Sequence, residues 1–174
     1  MIQVYEAADG LPKSLNKLGQ QIARVSEGGV TAETIRQACD EMVLENWNFH
    51  SEEYPELINL LRTSEPAKLL VRTLFEQGAC SVFKKSTLTN AILATSAHSR
   101  PEIERALQQL VECNFLTLTG SKGKQVVFPV DSVATHTLGV VLNNRYRFPD
   151  AAYVLGDLDF SYQLRLDFDA ETDV

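Results

Sequence analysis

Residues 66–129 read PAKLLVRTLFEQGACSVFKKSTLTNAILATSAHSRPEIERALQQLVECNFLTLTGSKGKQVVFP, and the order of periods in this stretch decides the fold. Pro66 suits a helix's first turn, and Leu69, Leu70, Leu74 and Phe75 repeat at helical spacing until Gly78 closes the segment. Ser81, Val82 and Phe83 form a short extended piece, after which Ser86 is expected to cap a helix carrying Leu88, Ile92 and Leu93. A break at 96–99 leads to a further helix over 100–113, with Pro101 near its start and Ile103, Leu107, Leu110 and Val111 on one face. Two β-forming runs follow, 115–119 and 125–128, separated by Gly120-Ser121-Lys122-Gly123-Lys124. They predict a hairpin.

Helix, short strand, helix, helix and hairpin, at these lengths, resembles the order of a winged helix and implies such a domain over 65–130. Working outward, Leu15, Leu18, Ile22 and Val25 predict a helix from Pro12 to the Gly28-Gly29 pair. Thr31 caps a second, with Ile35, Ala38, Cys39, Met42 and Val43 buried and its end expected near Glu45. A third begins about Ser51 and carries Leu57, Leu60 and Leu61, leaving Trp47 and Phe49 in a connection. Beyond Pro129, a helix is expected at 131–142 against the β-branched Val133, Thr135, Thr137, Val140 and Val141, with turns at Asn143-Asn144 and Phe148-Pro149-Asp150. From Leu158 to Phe168 apolar and polar residues alternate, the period of a two-faced strand. The fold class is therefore mainly α with small β-hairpins: a helical segment over 1–64, the domain over 65–130, and an extension over 131–174 ending in a strand.

Two short motifs extend the resemblance. Ala8-Asp-Gly-Leu-Pro-Lys13-Ser-Leu heads the first helix and Gly29-Val-Thr-Ala-Glu-Thr-Ile-Arg-Gln-Ala heads the second. Followed by a winged helix, they resemble the C-terminal lid and winged helix of AAA+ and STAND ATPases of the origin-recognition and archaeal-ATPase kind, over residues 6–130. The resemblance implies that the chain is the terminal part of a larger machine, or a stand-alone relative of its lid and winged helix. In that family the residue after the Gly-x-Pro turn is often a nucleotide-sensing arginine; Lys13 stands here. The sequence has no Gly-rich phosphate loop ending in Lys-Ser/Thr and no apolar strand ending in paired acids. This chain by itself is not expected to hydrolyse ATP or to be an enzyme.

Other chemistries find no support. Cys39, Cys80 and Cys113 are far apart and odd in number, so neither a metal site nor a disulfide framework is indicated. His50, His98 and His136 lack ligand spacing, and no nucleophile elbow or acid/base pair of carboxylates is present; no catalytic residue, metal or cofactor is expected. With no apolar run long enough for a bilayer and no secretion signal at Met1, the expectation is a cytoplasmic protein without membrane contact.

A net charge of −7 speaks against nucleic acid until its distribution is considered. Residues 150–174 hold seven acids against Arg165 alone, for −6, whereas 84–124 carries six cations against Glu102, Glu104 and Glu112, for +3. The candidate contacts to double-stranded DNA are Lys84, Lys85, Ser99, Arg100, Arg105, Gln108, Lys122 and Lys124, with the 100–113 helix in the major groove and the lysines on phosphates. A charged helical face is also what any solvated surface shows, and Glu102 and Glu104 would repel phosphate. The alternative function is protein interaction, by docking on an ATPase domain or a second copy. Its candidate element is the terminal strand, through Phe160, Tyr162, Leu164, Leu166 and Phe168. That strand equally fits an edge strand packed on the chain's own core, or an acidic tail competing with nucleic acid for the lysines.

Overall fold

A computed structural model describes residues 12–26, 29–79, 81–121 and 123–158. The elements run α1 (Pro12–Val25), α2 (Ala32–Glu53), α3 (Pro55–Thr63), α4 (Glu65–Glu76), β1 (Phe83–Lys84), α5 (Lys85–Thr95), α6 (Arg100–Glu112), β2 (Leu116–Thr119), β3 (Val126–Pro129), α7 (Ser132–Asn143) and α8 (Pro149–Val154). The architecture is mainly helical with one small antiparallel sheet in the order β1-β3-β2. Phe83 lies opposite Val127 on one side of β3, and Leu118 opposite the same Val127 on the other. The strand expected over 158–168, with Phe160, Tyr162, Leu164, Leu166 and Phe168, lies outside the described residues apart from its first position. So does Lys122.

α4 is the centre of the fold. Its Leu70, Val71 and Leu74 are fully buried, and it packs against α7, α6, α5 and α3. Burying each such side chain contributes about 1.5–3 kcal/mol, so one helix with apolar residues on several faces organises its neighbours. The closest approach is to α7 at Gly139, where a side chain would overlap the Phe75 ring; the glycine lets the two helices meet. α7 forms despite its β-branched residues because Asp131 caps it, accepting from the N–H groups of Val133 and Ala134 at 2.8 and 3.0 Å, and because Ala134, Leu138, Val141 and Leu142 are buried.

One core runs without a break from Val43 on α2 through α3 to α6, the sheet and α7 to Ala151 and Leu155 on and just beyond α8. Packing is therefore continuous across residues 64 and 130. A salt bridge beyond α8 fastens the end of this region: Asp157 meets Lys68 at 2.5 Å and Arg72 at 2.6 Å, both from α4, with the Lys68 and Asp157 side chains buried. Gly156, at φ +72, makes the preceding turn against the Arg62 carbonyl. A second, smaller cluster, Leu18, Ala38, Cys39 and Met42, joins α1 to α2.

Three boundaries differ from the sequence expectation. α2 does not end near Glu45 but continues to Glu53, because Val43, Trp47 and His50 recur on its buried face and hold Asn46 to Phe49 in helix against weak intrinsic propensity. Pro55 then ends it and opens α3, four residues after the start expected about Ser51, since a residue before proline is pushed out of the α region and Tyr54 stands at φ −120, ψ 59. Ser86 is not the cap of α5: Lys84 holds that position and Ser86 lies inside the first turn. Among the described residues no helix is long and apolar enough to cross a membrane.

Candidate nucleic-acid interface

The hairpin between β2 and β3 is shaped by two glycines. Gly120 and Gly123 have φ of +99 and +87, conformations that L side chains rarely adopt, and a Cβ at Gly120 would stand 2.7 Å from the Lys124 carbonyl oxygen. The Lys124 N–H closes the turn on the Ser121 carbonyl at 2.9 Å. On the other side of β3, the Lys85 N–H donates to the Gln125 carbonyl, also at 2.9 Å, so the start of α5 is tied to the strand that leaves the turn.

This tie creates a groove of about 610 Å³ between the first turns of α5 and α6 and the hairpin. Lys84, Lys85, Arg100 and Lys124 line it, with Ser86, Thr89 and a single acid, Glu104. Arg100 and Glu104 share one face of α6 by four-residue spacing. The Arg100 guanidinium is steadied by donating to Asn90 Oδ1 on α5 at 2.8 Å, an uncharged acceptor, and among the described residues no carboxylate pairs with it.

The second acid of the sequence reading, Glu102, is committed elsewhere. Its carboxylate accepts from the Ser99 hydroxyl and the Ser99 N–H, both at 2.7 Å, and these bonds hold it below the usual carboxylate range. Ser99 is thereby occupied in capping α6. Arg105 and Gln108 are exposed on α6 but do not line the groove, and Gln108 donates to Glu112 at 3.2 Å. Of the eight residues expected to contact DNA, the structure gathers Lys84, Lys85, Arg100 and Lys124 in one place. Sequence reasoning missed Ser86, Thr89 and Glu104 as groove residues; the four-residue step from Lys85 to Thr89 and from Arg100 to Glu104 is the signal that was available.

Charge pairing separates this face from the rest of the surface. Lys17 and Arg24 meet Glu45, Arg36 meets Glu33, Lys68 and Arg72 meet Asp157, and Arg147 meets Asp40. Among the described residues no carboxylate lies within ion-pair distance of Lys84, Lys85, Arg100, Arg105 or Lys124; elsewhere only Arg62 and Arg145 share that condition. Among the described residues, the cations without a carboxylate partner are thus concentrated where two helix starts and a glycine-shaped turn converge, an arrangement that attracts anions. No family model, curated protein or solved structure matches the chain.

Proposed function

We propose that residues 65–130 act as a winged-helix module that binds double-stranded DNA, with α6 directed at the major groove and the hairpin turn at the adjacent backbone. The observation that carries the reading is the set of unpaired cations around the groove. The sheet order supports it: β1 joins the hairpin beside β3, so the hairpin projects from the same side as the start of α6. Arg100 and Glu104 are the base-facing candidates, since arginine can read guanine and a carboxylate can accept from cytosine, while Lys84, Lys85 and Lys124 serve phosphates. The module belongs, on this proposal, to the C-terminal part of an ATPase of the AAA+ or STAND kind, with α1 to α3 as its lid-like portion and no catalysis of its own.

Fluorescence anisotropy with labelled duplex DNA tests this. Wild type is expected to bind at low salt and a Lys84→Glu, Lys124→Glu variant to lose at least an order of magnitude, since each lost phosphate contact is reversed in sign. Equal affinity of the two proteins would overturn the proposal and leave docking on an ATPase domain or a second copy as the reading to pursue.

A further inference from the structure

The helices of this chain begin in two ways. A side chain or a proline occupies the first turn of α2, α3, α4, α6, α7 and α8: Thr31 caps α2, Ser64 and Pro66 serve α4, Ser99 and Pro101 serve α6, Asp131 caps α7, and Pro55 and Pro149 open α3 and α8. α5 has neither. Its N-cap is Lys84, and no side chain accepts from its first-turn N–H groups. The Lys85 N–H is taken by the Gln125 carbonyl, which leaves the N–H groups of Ser86 and Thr87 at the positive end of an eleven-residue helix whose Lys85 and Ser86 line the groove.

A second observation is independent of the helix start. Thr89, one turn along α5, lines the same groove; it is 1 % exposed, and its Oγ1 has no hydrogen-bond partner. A buried hydroxyl without a partner is costly, and in a helix it has its own carbonyls nearby to satisfy it. It shares the groove lining with Lys85, Ser86, Arg100 and Lys124, and with one carboxylate, Glu104. Donors from a helix start, two hydroxyls and converging cations around one space are the recognition chemistry of a phosphate group.

We propose that the first turn of α5, with Ser86 and Thr89, is a phosphate subsite within the groove. This rests on the nucleic-acid reading for one source of the phosphate, a diester of duplex DNA; a free phosphate is the other. Ser86 occupies the second helical position, where α4 and α6 carry Pro66 and Pro101, so Ser86→Pro deletes one N–H and the Ser86 hydroxyl at a position this fold already gives to proline. Thr89→Val removes the hydroxyl at nearly constant shape. Neither changes a charge.

The experiment follows the backbone amides of the full chain by two-dimensional NMR during titration with inorganic phosphate, with chloride at matched ionic strength, and with a duplex. Saturable shifts at Ser86 and Thr87 with phosphate or duplex but not chloride, weakened about tenfold in each variant, would establish the subsite, a lost hydrogen bond to a charged group being of that size. Duplex binding that neither Ser86→Pro nor Thr89→Val weakens would overturn the subsite while leaving DNA binding in place. Phosphate shifts without duplex binding would support the subsite and assign it to a small phosphorylated ligand. Identical responses to phosphate and chloride, with no duplex effect at these amides, would overturn it.

Discussion

Removing the Asp157 carboxylate should destabilise the whole fold, although the residue lies beyond the last helix. Asp157→Ala leaves Lys68, whose side chain is 5 % exposed, without its closest partner, and frees Arg72 from the same carboxylate. Breaking a buried ion pair by deleting one member costs about 3–5 kcal/mol, because the remaining charge stays buried. Glu65 stands 3.6 Å from the Lys68 ammonium and 3.3 Å from Arg72, and is half-exposed, so it recovers part of the loss. The low end, about 3 kcal/mol, is therefore expected, a large share of a typical domain's stability of about 5–15 kcal/mol. Urea unfolding is the assay, followed by circular dichroism and by the fluorescence of Trp47, the one tryptophan of the sequence and a member of the core. The double variant Lys68→Met, Asp157→Leu should return to within about 1–2 kcal/mol of wild type, since an apolar pair in place of an ion pair is often neutral. A loss below about 1 kcal/mol in Asp157→Ala would refute the reasoning, because it would mean that the pair is solvated and the segment after α8 is not fastened to α4.

Gly139→Ala should destabilise by about 1–2 kcal/mol, overpacking against Phe75 outweighing the gain in helix propensity, and a melting temperature lowered by several degrees would show it. His50 is buried between Asp131 at the cap of α7, Glu53, Lys17 on α1 and the stacked ring of Tyr54, and burial, the dominant effect, lowers its pKa from 6.5 despite Asp131 and Glu53 at 3.9 Å. The unfolded chain then takes up this proton first as pH falls through 6.5, so stability should decline from there toward the lower folded-state pKa. His50→Gln should flatten that part of the curve in urea titrations at several pH values; an unchanged slope would assign it to other groups. Gly120→Ala should strain the hairpin turn and weaken duplex binding more than it lowers the melting temperature, since the glycine shapes the turn rather than the core.

The elements from α4 to β3 were legible because each was written in its own period: the Leu69, Leu70, Leu74, Phe75 stripe, the Ile103, Leu107, Leu110 stripe, and two β runs around a glycine turn. Where packing overrides propensity, reading failed. Asn46 to Phe49 look like a connection by composition, yet Trp47 and His50 are drawn into the core and carry α2 onward. α8 spans only six residues, too few for a period, and Phe148-Pro149 signals a boundary equally well whether a helix or a turn follows. For the groove, the lysines and Arg100 could be found by charge, whereas Thr89 offered only its four-residue step from Lys85. Its significance lies in a missing partner, which only the folded arrangement reveals. Likewise Asp157, counted with the acidic C-terminal residues, belongs instead to an ion pair with α4.

The salt dependence of duplex binding tests the central claim most directly. If Lys84, Lys85 and Lys124 neutralise phosphates while Arg100 reads a base, the slope of log K against log salt should be about −0.9 for each lysine, or about −2.7 for the three of these four groove cations that meet phosphate. Replacing all four by alanine should bring the slope close to zero and weaken binding at low salt. A wild-type slope near zero, or one that the fourfold variant leaves unchanged, would contradict the claim that this groove meets DNA.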